Sequence, residues 1–337
     1  MTQTEVGTRP TALGLKVGDL VEVRSADEIL ATLDERGELE NLPFMPEMLA
    51  FCGQQLTVKK VAHKLCDTIG GSGMRRMTNA VHLTESRCDG SAHGGCQTAC
   101  SLYWKEQWLL RVDPGSPPSP PSAPSGSPEV RYNLPILEIN SRKEPGEDGE
   151  VRYSCQATEL LRAAPTCLPF RDLGQYVQDV SSGNVGVLAV LRAFGIGMFN
   201  RMQNVSKKVL PRRLWFRDGL RWRFLKGGVL GRTPTGKLDL QPGEVVRIKA
   251  KNDILATLDE NLLNRGMGFD EEMSLFCGQT AVVQARVERC IDEKTGRMLT
   301  MKSPCIVLEN VLCRGVYSVN CPREFVPFWR EIWLEKI

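Results

Sequence analysis

Apolar and polar residues alternate after a glycine turn in Val17–Ser25 (VGDLVEVRS) and again in Pro242–Ala250 (PGEVVRIKA). That period of two is the pattern of a half-buried strand. Each stretch leads into the same short amphipathic segment, ADEILATLDE or KNDILATLDE, with Asp27 or Asp253 near its start, where an acidic side chain suits unpaired helix amides. GQQLTVKKV and GQTAVVQARV then predict a second strand, NAVHLTE and PCIVLEN a third, and EQWLLRV and EIWLEKI a closing one. Short strands so closely spaced predict a small barrel. Their order resembles an SH3-like barrel with a helical insertion, an analogy of fold that carries no function.

The two sets of segments are one pattern written twice. ILATLDE at Ile29–Glu35 recurs unchanged at Ile254–Glu260, an offset of 225 residues. The same offset superposes FCGQ from Phe51 on FCGQ from Phe276, Glu47-Met48 on Glu272-Met273, Cys88 on Cys313, Cys96 on Cys321, and Trp104 and Trp108 on Trp329 and Trp333. The expected fold class is therefore mainly β with α, two small SH3-like β-barrel repeats flanking a partly helical middle. The first repeat spans 13–112, a Pro/Ser/Gly linker 113–128, a helical and basic middle segment 129–237, and the second repeat 238–337. The linker's PGSPPSPPSAPSGSP has too little apolar surface to fold and predicts an extended tether.

In the middle segment TELLRAA and the run from Leu173 to Val205 have near-helical apolar spacing, broken at Gly183, which predicts a helical hairpin. Val185–Phe199 is too short and too interrupted to span a membrane and reads as a core or amphipathic helix. Residues 201–237 hold eleven Lys or Arg against the single acid Asp218, with Trp215, Phe216, Trp222 and Phe224 interleaved. That composition suits an acidic protein partner, phosphate or nucleic acid, and equally a solvated basic face; RLWFRDGLRWRF predicts a β-hairpin about Asp218-Gly219.

Composition sets the redox setting. The 337 residues carry a net charge of only +3, too small to imply a nucleic-acid or membrane partner for the whole molecule. The first twenty residues lack a cationic stretch followed by an apolar one, so a cytoplasmic location is expected. Twelve cysteines in that setting point to metal or thiol chemistry more than to disulfides. No nucleotide-binding glycine fingerprint, HExxH, GxSxG or kinase set is present, which removes the common enzyme classes without excluding catalysis.

The expected ligands are Cys66, Cys88, Cys96 and Cys100 in the first repeat and Cys290, Cys305, Cys313 and Cys321 in the second, one four-cysteine site in each. The glycine-rich stretch around Cys88–Cys100 lets the backbone wrap an inorganic core. Only Cys96 and Cys100 have the close spacing of a zinc knuckle, so an iron–sulfur cluster is the expected cofactor and zinc the alternative. CDGSAH at Cys88–His93 resembles the CDGSH signature of small [2Fe–2S] proteins, in which a cysteine and a following histidine are ligands. Here Ala92 is inserted and the upstream C-x-C is absent, so the resemblance adds only His93 to the candidates. Cys52 and Cys277 read as core thiols, and Cys155 and Cys167 match no motif, leaving a redox pair, extra ligands, no role at all or a catalytic thiol as readings. The expected function is a redox or auxiliary metal protein, against a zinc-stapled scaffold for nucleic acid or protein and, less favoured, a cysteine-dependent enzyme.

Overall fold

The computed structural model describes residues 12–113 and 136–337. The expected tether lies almost wholly outside them. Small antiparallel sheets dominate, with helices between them.

In the first half β1 (Leu20–Val23) leads into helix α1 (Ala26–Leu30), whose amides are capped reciprocally by Ser25 and Glu28. A minimal hairpin, β2 (Glu38–Leu39) and β3 (Leu42–Pro43), precedes β4 (Gln55–Val61), the hairpin β5 (Lys64–Cys66) and β6 (Met74–Arg76), then β7 (Ala80–Leu83), β8 (Trp104–Lys105) and β9 (Leu109–Arg111). Five of these form a half-barrel sheet in the order β8-β7-β4-β1-β9. Trp104 and Trp108 are fully buried and meet the edge of Phe44 at 6.2 and 5.2 Å, closing the core.

The middle segment brings helical residues 136–140, the hairpin β10 (Arg142–Lys143) and β11 (Arg152–Tyr153), helix α2 (Gln156–Ala163), β12 (Cys167–Leu168), and helices α3 (Gly174–Ser181) and α4 (Val187–Val209). Helix α2 is bound to the first half through Gln156, whose amide donates to Pro43 O and Tyr103 O and accepts from Tyr103 N. Helices α3 and α4 form the expected hairpin about Gly183, at φ +80°. Phe194 of α4 stacks on Phe170 at 5.0 Å, while Leu188, Leu191, Met198, Met202, Val205 and Val209 stay exposed in one row. The amphipathic reading of this helix therefore describes it better than the core one.

The β-hairpin expected at Asp218-Gly219 does not form. Arg217 and Asp218 make a left-handed turn at φ 49° and 57°, but Arg223 and Phe224 also have positive φ, which no strand tolerates. The flanking aromatics gather instead around Phe199, with Trp222 at 5.3 Å and Phe224 at 5.9 Å.

The second half runs β13 (Val245–Ile248), helix α5 (Lys251–Leu255), β14 (Leu263–Asn264), β15 (Met267–Gly268), β16 (Thr280–Ile291), β17 (Met298–Leu308) and β18 (Leu334–Lys336). Its main sheet has the order β17-β16-β13-β18. Register matches the first half pair by pair: Leu20 faces Thr57 as Val245 faces Val282, and the β4 irregularity at Val58/Lys60 returns at Val283/Ala285. Phe269, Trp329 and Trp333 reproduce the aromatic core, with centroids 6.3 and 5.5 Å from the phenylalanine.

Candidate metal centre

The loop after β7 is closed by its own backbone. Cys88 N donates to Cys100 O at 2.9 Å, and His93 N and Gly95 N both donate to Gly90 O. Gly90 sits at φ +74°, and a Cβ there would lie 2.0 Å from the Cys96 carbonyl oxygen, so only glycine fits. This turn folds His93 back until its Nε2 is 3.4 Å from Cys88 Sγ. Glu47, on the 3-10 turn Pro46–Phe51, completes a triangle: its Oε1 accepts from the Cys88 thiol at 3.3 Å and lies 3.5 Å from His93 Nδ1. One donor atom from each residue falls within 4.8 Å of the others.

Cys96, Cys100 and Cys155 line the same cavity, of about 40 Å³, together with Cys88, His93 and Glu47. By that measure a single water needs roughly 10–15 Å³, so the void holds more than one atom. Burial pushes the thiols of Cys88 and Cys100 well up and that of Cys155 to about 11. It also raises the Glu47 carboxyl and lowers the His93 imidazolium to about 4, since each charged form would be desolvated. The His93 imidazole and the Cys88, Cys100 and Cys155 thiols are therefore neutral at pH 7, and burial works against the Glu47 carboxylate as well. Glu47 Oε2 and His93 Nδ1 are buried without a hydrogen-bond partner. Orphaned donors and acceptors of this kind carry a desolvation cost that a bound cation would remove. Across the cavity stands Arg323, only 4 % exposed, ion-paired with Glu293 and donating to Thr68 Oγ1 at 2.8 Å. Its charge opposes the upward push on Cys100.

The structure regroups the expected ligands. Cys88, Cys96, Cys100 and His93 meet at one cavity, but Cys66 is not with them. Its backbone N donates to Cys321 Sγ of the second half at 3.2 Å. Cys290 is exchanged the other way and packs with Cys96 and Ile291. Cys305 is fully buried among Val287, Val307 and Val326, with Arg330 Nη1 3.6 Å from its sulfur, and faces neither Cys313 nor Cys321 in that cluster. One four-cysteine set within each repeat is thus not the observed arrangement. Cys52 and Cys277 pack at the edges of the two cores. Cys155 and Cys167 are no pair: Cys155 lines the cavity, whereas Cys167 is exposed on β12. Sequence reasoning missed Glu47 and Arg323. The recurrence of Glu47-Met48 at Glu272-Met273 was the available signal for the first.

No family model, curated protein or solved structure matches this chain.

Proposed function

We propose that this chain is a metal-binding protein of redox or auxiliary role, with an iron–sulfur centre held in the cavity of the first half. The observation that carries this is the gathering of four thiols, an imidazole and a carboxylate around one buried void. Six donors exceed the four of a tetrahedral ion, and a void wider than one atom suits an inorganic core. Backbone amides of the glycine-rich loop and the buried Arg323 would offset the charge of ligated thiolates. Zinc is the second reading, favoured by the tight Glu47–Cys88–His93 triangle, which has the dimensions of one ion's coordination sphere. Anaerobically purified protein should be brown, with iron and acid-labile sulfide in equal amounts. Colourless protein with one bound zinc at this triangle would replace the cluster by the ion.

Each half reads as a copy of one SH3-like module, a view supported by the shared strand order and register. Twelve free cysteines suit a reducing cytoplasmic setting, and no helix among the described residues is long and apolar enough to cross a membrane. The exposed arginines after α4 are the docking face for an acidic protein partner. An Arg212/Arg213/Arg217→Ala variant should lose capture of that partner and keep its metal; loss of nucleic-acid binding alone would reassign the face.

A further inference from the structure

We infer that a second metal centre is assembled from both halves of the molecule, by Cys313, Cys321 and Glu272 of the second half and Cys66 of the first. It rests on the reading of the first cavity as a metal centre, and it changes the membership of the second site.

The loop Cys313–Cys321 repeats the backbone of Cys88–Cys96. Cys313 N donates to Phe325 O at 2.8 Å, as Cys88 N does to Cys100 O. Ser318 N and Asn320 N both donate to Gly315 O, as His93 N and Gly95 N do to Gly90 O. Gly315 is left-handed at φ +68°, and a Cβ there would meet the Cys321 carbonyl oxygen at 2.6 Å. Glu272 stands where Glu47 stands, 225 residues earlier. It is 5 % exposed, its Oε1 accepts from Tyr317 N at 2.5 Å, and its Oε2 has no partner. A buried carboxylate oxygen left empty near the Cys313 thiol repeats part of the signal at the first cavity, although no three of these donors close to within 4.8 Å as Glu47, Cys88 and His93 do.

The fourth donor differs in origin. Ser318 occupies the position of His93, so the second loop has no imidazole of its own. Cys66 fills the gap from across the molecule, its backbone N donating to Cys321 Sγ at 3.2 Å and its free thiol hydrogen-bonding the same sulfur. At the matching place in the first half Ile291 N donates to Cys96 Sγ at 3.4 Å, and Ile291 has no donor atom in its side chain. The halves thus embrace through equivalent contacts, with a thiol at the crossing position on Cys321 and an apolar side chain, flanked by Cys290, at the one on Cys96. Two buried cations flank the second thiol group, Arg323 and the fully buried Lys64, which pairs with Asp179 at 2.6 Å. Both would offset the charge of three thiolates. A cavity of about 210 Å³ lined by Cys313, Cys321 and Asn320 gives a metal its way in.

Cobalt(II), titrated anaerobically into the reduced, metal-free full chain, tests this through the sulfur-to-cobalt charge-transfer band. Wild type should bind two equivalents, and Cys313→Ser/Cys321→Ser one. Cys66→Ser and the isosteric Glu272→Gln, which keeps an acceptor for Tyr317, should each weaken one equivalent by about tenfold or more, by analogy with the affinity lost on removing support from a metal site. Cys88→Ser/His93→Ala should remove only the other equivalent, and that retained binding shows that the second-half variants are folded. One equivalent in wild type, lost with Cys88→Ser/His93→Ala and untouched by Cys313→Ser/Cys321→Ser, would overturn the second centre while leaving the first. Two equivalents insensitive to Cys66→Ser would overturn its assembly across the halves. No binding by wild type would overturn both centres.

Discussion

The loops Cys88–Cys96 and Cys313–Cys321 share a left-handed glycine two residues after the first cysteine, the same three closing hydrogen bonds and a buried glutamate with one empty oxygen. Their chemistry diverges at the next donor. The first draws an imidazole from its own loop and adds Cys100 and Cys155 to the cavity, whereas the second meets a cysteine supplied by the other half. On the proposed reading, a shared backbone sets where a centre would sit, and single side chains decide what it would be and which parts of the chain it would tie together.

The glycines offer the strongest way to break the likeness. Gly90→Ala and Gly315→Ala should each cost more than the ~1–3 kcal/mol of left-handed strain, because the added methyl also strikes a backbone carbonyl. The approach is closer at Gly90, 2.0 Å against 2.6 Å, so its variant should show the larger drop in urea midpoint and lose cavity metal with it. Equal midpoints for both variants and wild type would mean that these loops are not held as described.

Acid separates the halves next. His82 lies wholly inside the first core, its Nδ1 2.9 Å from Leu102 O, and burial lowers its pKa to about 4; the matching residue is Val307. An unfolded chain takes up this proton near pH 6.5, the folded one only near 4, so the unfolded state binds more protons between them. The stability His82 contributes is present above about pH 6.5 and is lost as pH falls toward 4, by up to about 1.4 kcal/mol per pH unit. Hydrogen exchange should show the first half losing protection before the second across that window, and His82→Val should narrow the gap.

A smaller contrast lies in the tryptophans. Trp104 Nε1 donates to Ser86 Oγ at 2.6 Å, but Trp329 Nε1 has no partner, because Val311 stands at the position of Ser86. Ser86→Ala should cost about 1–3 kcal/mol by leaving a second buried indole unpaired. Val311→Ser should gain up to about 1 kcal/mol in the same denaturation assay, or no more than it loses in apolar contact.

Much of the frame was legible in the chain. The strands after Gly18 and Gly243, the short helices and the α3–α4 hairpin follow from periodicity and glycine breaks, which are local. Three things were not, each for a physical reason. The Asp218-Gly219 hairpin fails because positive φ at Arg217, Asp218 and Gly219 is followed by positive φ at Arg223 and Phe224, so no second strand can extend and the flanking aromatics meet Phe199 edge-on instead. The offset comparison places Cys66 and Cys290 in their own repeats because it superposes one half on the other and is blind to contacts between them. Glu47 carries no motif, and only the fold brings it from before β4 to a loop forty residues later.

The central claim is that the Glu47–Cys88–His93 cavity holds a thiolate-bound metal. It is tested most directly by iron, zinc and acid-labile sulfide analysis of the anaerobically purified full chain beside its Cys88→Ser/His93→Ala variant. The account predicts bound metal in the wild type and its specific loss from the first centre in the variant. Metal-free wild type isolated with iron and zinc supplied, or a variant that retains the full complement, would contradict it.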